Sequence, residues 1–266
     1  MTIRDYLKSI RSKGKIAFTA KEAISSLGIS KNALQCAIYR LKKSGDIVSP
    51  SSNLYVIVPP EYQAFGCIPA ADLIPILMRH WNLPYYVCLL SAAEYHGASH
   101  QKPQVFQVMT NKQIKMLHCG KLRIEFIYKK SLENLPTQSI TVNTGYLITS
   151  TPELTVMDLL YYPRHVGGLN HIATVLSELV ENIDGQTLVK LIDLSQEKAW
   201  VQRLGYILEH IETMDTEKQK NIIELLQNTL TKPSTPIPLA TEMPIKGCPR
   251  DVRWMIVENT TIESDL

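Results

Sequence analysis

Hydrophobic residues recur with the period of an α-helix in three successive segments at the start of the chain. Their apolar positions are Ile3, Tyr6, Leu7 and Ile10, then Ala23, Ile24 and Leu27, then Leu34, Ala37, Ile38 and Leu41. Polar caps precede the predicted helices and glycines follow them, at Thr2 and Gly14, Thr19 and Gly28, and Ser30 and Gly45. Glu22 lies three positions after Thr19 and completes a capping box. The pattern therefore predicts three short amphipathic helices.

The connections between these helices narrow the prediction further. Residues 28–29 alone separate the second helix from the cap of the third, which is the short connection of a helix-turn-helix. After the third helix, residues 47–48 form a short strand, residues 50–53 form a turn and residues 54–58 form a second strand. Helix, helix-turn-helix and hairpin in this order predict a winged helix-turn-helix domain over residues 1–60.

Residues 61–163 combine helical periods with strand-like alternation, which predicts an α+β domain whose strands are mostly antiparallel. Helices are predicted over Ala71–Trp81 and Glu153–Tyr161, a helix or strand-to-helix segment over Tyr85–Tyr95, and strands over Val105–Met109, Leu122–Tyr128, Ile140–Val142 and Tyr146–Ser150.

Residues 164–266 predict a helical C-terminal region with an extended tail. Four amphipathic helices are predicted over Leu169–Val180, Thr187–Leu194, Ala199–Ile211 and Lys218–Leu230. The tail has an extended segment at Lys232–Pro238 and a late strand at Val252–Val257, around Trp254. The predicted fold class is therefore α+β: an N-terminal winged helix-turn-helix, then an α+β domain, then a helical C-terminal region.

Net charge separates the first predicted domain from the rest of the chain. The whole chain carries +3, yet residues 1–58 hold ten basic and three acidic side chains, a net charge of +7. Residues 59–163 carry +1 and residues 164–266 carry −5. A compact cationic domain attached to a neutral and then acidic remainder indicates that the first domain binds nucleic acid.

The third predicted helix carries the side chains that this role needs. Asn and Gln can each make paired hydrogen bonds to an adenine edge in the major groove, whereas Lys and Arg hold guanine or phosphate. We expect Asn32 and Gln35 to read bases and the basic residues to anchor the backbone. The candidate DNA-binding residues are Thr19, Lys21, Ser30, Lys31, Asn32, Gln35, Tyr39, Arg40, Lys42, Lys43, Ser51, Ser52 and Asn53. The alternative is a winged helix used for protein contact, with its lysines simply solvated.

Two groups of side chains could suggest catalysis, but neither has the spacing of a known site. The first comprises His96, His100, His118 and Cys119, and the second Glu94, Glu125, Glu153 and Asp158. The histidines lack the H-E-x-x-H spacing, and the carboxylates follow no nuclease pattern. No phosphate-binding glycine loop and no nucleophile elbow occurs in the sequence. We therefore expect no enzyme activity, no bound metal and no cofactor.

Cysteine usage and hydropathy favour a reducing, aqueous compartment. The cysteines at 36, 67, 88, 119 and 248 are odd in number and widely spaced, and they form no C-x-x-C. The longest apolar run, Tyr85–Leu90, is far shorter than the roughly 18 residues of a membrane span. The first residues lack the pattern of a secretory signal. We expect a cytoplasmic protein.

Several segments of the chain resemble the AbiEi antitoxin family. They are SLGISKNALQCAIYRLKKSG at residues 26–45, LYVIVPPEY at 54–62, YYVCLLSAAEYHGASH at 85–100, STPELTVMDLL at 150–160, and the tail segment RWMIVEN at 253–259. The resemblance spans nearly the whole chain. Its middle part is the most specific, because winged helices alone are widespread.

Members of this family are antitoxins of AbiE-type (type IV) toxin–antitoxin systems, which act in abortive phage infection. The resemblance implies a winged helix that binds inverted repeats in the operon's own promoter and represses it. It also implies that residues 61–266 counteract a nucleotidyltransferase-like toxin without a stable complex. The protein would be a monomer or weak dimer that binds DNA cooperatively, with half-sites about one helical turn, or a multiple of it, apart.

Two other functions stay open from the sequence. The winged helix could deliver a nuclease or deaminase centre to DNA, which would require an acidic or metal-binding constellation in residues 59–163. The protein could instead be an interaction adaptor, whose binding would lack the steep salt dependence of DNA binding.

Overall fold

The computed structural model describes residues 1–98, 103–195, 197–230 and 235–262 of the chain. Within these residues the protein is α+β, with ten α-helices and mixed sheets, which confirms the predicted fold class at that level. The chain divides into two compact units. Unit 1 comprises Met1–Tyr86, Gln104–Leu132 and Ser139–Ile148, and unit 2 comprises Val87–Pro103, Glu133–Gln138 and Thr149–Leu266. The division of function among residues 1–60, 61–163 and 164–266 stays a prediction.

Residues 1–58, which we call the head, form three helices and a small antiparallel sheet. The elements are α1 (Ile3–Ser12), β1 (Ala17–Thr19), α2 (Ala20–Leu27), α3 (Lys31–Lys43), β2 (Ile47–Ser51) and β3 (Leu54–Ile57). The sheet has the order β1-β3-β2. Apolar side chains of all three helices pack together with those of the strands, including Tyr6, Phe18, Leu34, Ile38 and Ile57.

The three predicted N-terminal helix caps of the head and the glycine at the end of α2 are confirmed. Thr2 accepts a hydrogen bond from the backbone of Asp5, Thr19 from Glu22, and Ser30 from Ala33. The first two are reciprocal capping boxes, of which only the second is evident from sequence reasoning. Gly28 ends α2 with a left-handed backbone conformation at φ +64°. Residues that have a side chain rarely adopt this conformation. Local sequence therefore sets where these helices start and stop.

Two details of the head differ from the prediction. Strand β1 has no counterpart among the predicted elements, because three residues are too few to show a period. Strand β2 continues to Ser51 through a bulge between Val48 and Ser51, so the turn is shorter than residues 50–53. Pro50 is a turn signal in the sequence, but a proline is accommodated at an irregular position of a strand.

Helix α4 (Ala70–Trp81) follows the head, and a six-stranded sheet then forms. Its strands are β4 (Tyr85–Val87), β5 (Phe106–Thr110), β6 (Leu117–Cys119), β7 (Leu122–Tyr128), β8 (Thr137–Val142) and β9 (Gly145–Ser150). They lie in the order β6-β7-β5-β4-β9-β8. Strand β6 was not predicted.

The expectation of mostly antiparallel strands is wrong at the centre of this sheet. Strands β5 and β7 are parallel, as are β4 and β9, whereas β6 pairs with β7 in antiparallel orientation. The reason is the unpredicted strand β6, which reverses the chain between β5 and β7 and lets them run in the same direction. Continuous apolar runs such as Tyr85–Leu90 are typical of buried parallel strands. Such a run is the feature of the sequence that indicates parallel pairing.

Unit 2 packs its helices around α6 (Pro152–Tyr161), in which every side chain from Glu153 to Leu160 is buried. The other helices are α5 (Leu89–Tyr95), α7 (Leu169–Leu179), α8 (Gly185–Leu194), α9 (Ala199–His210) and α10 (Thr216–Thr229). Their positions confirm the four predicted C-terminal helices to within a few residues, since the apolar stripe of each helix is a local pattern.

The late strand predicted over Val252–Val257 is wrong as a continuous element. The structure has β11 (Arg250–Asp251) and β12 (Ile256–Val257) on either side of a turn, and β10 (Ile237–Pro238) pairs with β12. Trp254 lies in that turn and is buried against Gly205 of α9. Residues 232–234 of the predicted extended segment lie outside the described residues.

Candidate nucleic-acid interface

Helix α3 has one buried and one exposed face. Leu34, Ile38 and Leu41 point into the core of the head. Opposite them is a set of exposed side chains that we call the α3 face: Lys31, Asn32, Gln35, Tyr39, Arg40, Lys42 and Lys43. Tyr39 is 68% exposed, an unusual fraction for a large aromatic residue. The predicted inward and outward positions of the third helix are therefore confirmed, whereas DNA contact by the α3 face stays a prediction.

The α3 face bears charges that the protein does not neutralise. Within the described residues, none of the ten basic side chains of the head lies in an ion pair. In the last turns of α3, Arg40, Lys42 and Lys43 also lie at the end where the helix dipole favours cations. The result is a cationic, hydrogen-bonding surface on a single helix.

The three acids of the head are engaged in local hydrogen bonds instead. Asp5 accepts from the backbone and hydroxyl of Thr2, and Glu22 accepts in the same way from Thr19. Asp46 accepts from the Ser44 hydroxyl at 2.6 Å. Hydrogen bonds from the Thr2 side chain and the Thr19 backbone lower the pKa of Asp5 and of Glu22, respectively. These carboxylates stabilise helix ends and turns rather than forming ion pairs with the basic side chains of the head.

Contacts with helix α4 hold the β2–β3 turn. The indole Nε1 of Trp81 donates to the Ser51 hydroxyl at 2.8 Å, and Nε2 of His80 lies 3.1 Å from the Ser52 carbonyl oxygen. Asn53 adopts φ +60° at the turn, and its carbonyl oxygen accepts from the backbone of α2. Sequence reasoning missed both α4 residues, because they follow the turn by about thirty positions and belong to no local motif.

Three candidate side chains therefore have structural partners. The hydroxyl of Thr19 is part of a capping box, that of Ser30 caps α3, and that of Ser51 accepts from Trp81. Lys21, Ser52 and Asn53 are exposed. Contact of any of these six residues with a phosphate stays a prediction.

A cleft within unit 1 adds residues that the sequence analysis did not select. Its lining includes Lys15 and Thr19 from the head and Arg79 and His80 from α4. Lys15 and Arg79 are exposed. Basic side chains from outside α3 are therefore available beside the head.

The two groups considered for catalysis have separate local partners. In unit 2, Nε2 of His96 lies 2.9 Å from the Ser150 carbonyl oxygen, and burial lowers the pKa of the His96 imidazole. Glu153 accepts from the backbone of Asp184 at 2.6 Å. In unit 1, Glu125 accepts from Gln107, and His118 is exposed. His100 lies outside the described residues, and within those residues no cluster of three or more His, Cys, Asp or Glu side chains could hold a metal ion.

The α+β fold and the exposed cationic helix of unit 1 do not identify a protein family by themselves. The comparison with known families finds similarity to an antitoxin domain. Residues 85–210, just under half of the chain, match the family model of the AbiEi antitoxin C-terminal domain. The resemblance to the AbiEi family is thereby confirmed over β4 to α9, and it supports an antitoxin role. Curated protein sequences contain no match to the chain.

Solved structures add information about the fold. The RV2827C protein from Mycobacterium tuberculosis is similar over 94% of this chain and 89% of its own, with a TM-score of 0.65 and 14% identity. The antibiotic-resistance factor ANT(2'')-Ia aligns with 46% of this chain and 86% of its own, at a TM-score of 0.32 and 11% identity. An antigenic nucleotidyltransferase-like protein from Paracoccidioides brasiliensis aligns with 59% and 90%, at a TM-score of 0.34 and 9% identity. Only the first of these scores indicates a shared fold.

Among the described residues, no helix has both the length and the apolar character that crossing a bilayer requires.

Proposed function

We propose that this protein is a non-enzymatic, cytoplasmic antitoxin whose head is a winged helix-turn-helix that binds operator DNA and represses its own operon. The AbiEi antitoxin domain at residues 85–210 supports the antitoxin part of this proposal. The observation that carries the DNA-binding part is the α3 face, which presents two amides and four cations to solvent without internal neutralisation.

The α3 face has the residue types for two kinds of contact. Asn32 and Gln35 lie in the first turns of α3, where a recognition helix reads base edges in the major groove. Lys42 and Arg40 lie near the other end, where they can neutralise backbone phosphates. Affinity would then come mainly from the cations and the release of counterions, and sequence preference from the amides.

The proposed function also includes the form of the operator and the action on a toxin. The protein binds inverted repeats as a monomer or weak dimer, cooperatively, with half-sites about one helical turn apart or a multiple of it. Residues 61–266 oppose a nucleotidyltransferase-like toxin without forming a stable complex. Their excess of acidic side chains, a net charge of −5 over residues 164–266, keeps that part of the surface off the DNA.

Fluorescence anisotropy with promoter DNA and a scrambled duplex tests the phosphate role of α3. We expect Lys42→Ala to weaken binding to both duplexes by a similar factor and to reduce the slope of log K against log salt by about 1. Lys8→Ala is the matched control, because it removes the charge of an exposed lysine from α1. Equal affinity and salt slope for the two variants and the wild type would remove α3 from the proposed interface.

A further inference from the structure

Two buried cysteines of unit 1 lie in contact, although 52 positions separate them in the sequence. The sulfur atoms of Cys67 and Cys119 are 3.1 Å apart, and both side chains are nearly inaccessible to solvent. Both are free thiols. Cys67 lies in the segment between β3 and α4, and Cys119 ends the edge strand β6.

The backbone holds this pair together. A Cβ atom on Gly120 would lie 2.4 Å from the carbonyl oxygen of Phe65 and 2.8 Å from the Cα of Gly66, so only glycine fits there. The same carbonyl oxygen accepts a hydrogen bond from the backbone of Lys121 at 2.8 Å. Because the contact lies in the residues next to both cysteines, the distance between the sulfurs does not depend on side-chain rotation alone.

The two thiols are chemically different. The Cys67 thiol donates a hydrogen bond to the Cys119 sulfur, and this lowers the pKa of Cys119. The same hydrogen bond, together with burial, raises the pKa of Cys67. Since the thiolate is the nucleophile, this lower pKa favours Cys119 as the first of the two thiols to react with an oxidant.

The distance between the sulfurs suits a disulfide. A disulfide bond is about 2.05 Å long, so the sulfurs need to approach by roughly 1 Å. The bond would close a loop that contains helices α4 and α5 and strands β4 to β6. It would therefore remove conformational entropy from the unfolded chain and stabilise unit 1.

We propose that Cys67 and Cys119 are a reversible oxidation site, which hydrogen peroxide converts to a disulfide and a dithiol reductant restores. The Cys119 thiolate attacks one peroxide oxygen, the O–O bond breaks, and hydroxide is the leaving group. Cys119 is then a sulfenic acid. The sulfur of Cys67 then loses its proton and attacks the Cys119 sulfur, and the S–O bond breaks with release of water. Two thiols and one peroxide thus yield one disulfide and two waters. The disulfide would link the segment between β3 and α4 to strand β6. This role does not depend on what the head binds.

Peroxide treatment of the full-length protein, followed by alkylation under denaturing conditions, tests this site. Of the five thiols, two should become unreactive, and the mass before alkylation should fall by about 2 Da through loss of two hydrogens. Peptide mapping should find Cys67 joined to Cys119, and dithiothreitol should reverse the change. The melting temperature of the oxidised protein should exceed that of the reduced protein by roughly 5–10 °C.

Two variants define the outcome. Cys67→Ser should form no cross-link and should accumulate a sulfenic acid on Cys119, which dimedone traps. Cys248→Ser is the matched control, because it removes a cysteine of unit 2 and should oxidise like the wild type. Retention of all five thiols in the wild type, a cross-link between other cysteines, or irreversible oxidation of Cys119 without a cross-link would each overturn the proposal. Mapping of the wild type decides this even where the serine variant fails to fold.

Discussion

At the scale of single residues, the two amides of the α3 face have the most specific predicted role. Asn32 and Gln35 are exposed and take no part in the core of the head. Their replacement by alanine should therefore leave the melting temperature almost unchanged, since substitutions at such surface sites have small effects on stability. A change in DNA binding in these variants can thus be assigned to lost contacts.

We expect Asn32→Ala and Gln35→Ala each to reduce affinity for the operator by about 1–3 kcal/mol and to relax specificity at one or two base pairs. Each amide can bond two atoms of one base edge, which an alanine cannot replace. Competition binding against a library of single-base operator variants measures this loss.

Asn228→Ala is the control for these amide substitutions, because Asn228 is an exposed amide on α10 in unit 2. It should bind all operator variants as the wild type does. Unchanged base preferences in both α3 variants would exclude the assigned reading role of the amides.

Gly205 is a single residue on which stability depends, because its lack of a side chain leaves space for the ring of Trp254. A Cβ atom on Gly205 would lie 2.1 Å from ring carbon Cζ3 of Trp254, whose indole donates to Glu209 at 2.6 Å. Gly205→Ala should destabilise unit 2 by about 1–3 kcal/mol, because the buried ring must move. Thermal denaturation should show a fall of several degrees.

Gly185→Ala provides the comparison for that substitution. Gly185 opens α8, and an added Cβ would meet only the end of the flexible Leu225 side chain, at 3.1 Å. Its effect on the melting temperature should be much smaller. Similar effects of the two substitutions would show that the contact with Trp254 is not what requires glycine at position 205.

At the scale of elements, helix α4 determines how the hairpin of the head is held. Trp81 donates to Ser51 and also packs edge-on against Phe126 at a ring distance of 5.5 Å. Trp81→Phe keeps an aromatic ring but removes the donor. We expect hydrogen exchange in the β2–β3 turn to become about three- to tenfold faster, which corresponds to one lost hydrogen bond. Exchange mass spectrometry on peptides that cover the turn measures it.

Tyr128→Phe serves as the reference for this measurement. It removes a polar group from an exposed aromatic ring on β7 in the same unit. Exchange in the turn should stay at the wild-type rate. If Trp81→Phe also exchanges at that rate, the contact with α4 does not restrain the hairpin.

The elements also differ in how well the sequence predicts them. Helices α1, α2 and α3 follow from apolar spacing and from caps that lie within three residues of each other. Strands β1 and β6 are three residues long and carry no readable period. The parallel pairing of β5 with β7 depends on that missed strand, so the sheet could not be assembled from strand predictions alone.

At the scale of the whole molecule, the proposal assigns DNA binding and antitoxin activity to different parts of the chain. The head is contained in unit 1, whereas most of the matched antitoxin domain is in unit 2. Because a cut after residue 58 would divide unit 1, point variants of the full chain separate the activities better than fragments do.

We expect the triple variant Asn32→Ala, Gln35→Ala, Lys42→Ala to lose repression of its promoter but to retain the rescue of cells that express the proposed nucleotidyltransferase-like toxin. All three side chains are exposed, so the fold should be unaffected. A promoter–reporter assay and a co-expression growth assay measure the two activities.

The expression level and melting temperature of this triple variant must match the wild type for the comparison to hold. Loss of rescue by a variant that is equally abundant and equally stable would contradict the assignment of antitoxin activity to residues 61–266.

The sequence by itself determined the properties that depend on near neighbours. The helix limits, the cap at Ser30 and the exposed polar face of α3 all follow from residues within one or two turns of each other. The accumulation of positive charge in residues 1–58 is likewise a property of composition. Only the tertiary structure decided the parallel strand pairs and the hydrogen bond from Trp81 to Ser51. It also decided the packing of Trp254 against Gly205 and the contact between Cys67 and Cys119. Each of these joins residues that are far apart in the chain, and no local pattern states which distant partner a side chain will meet.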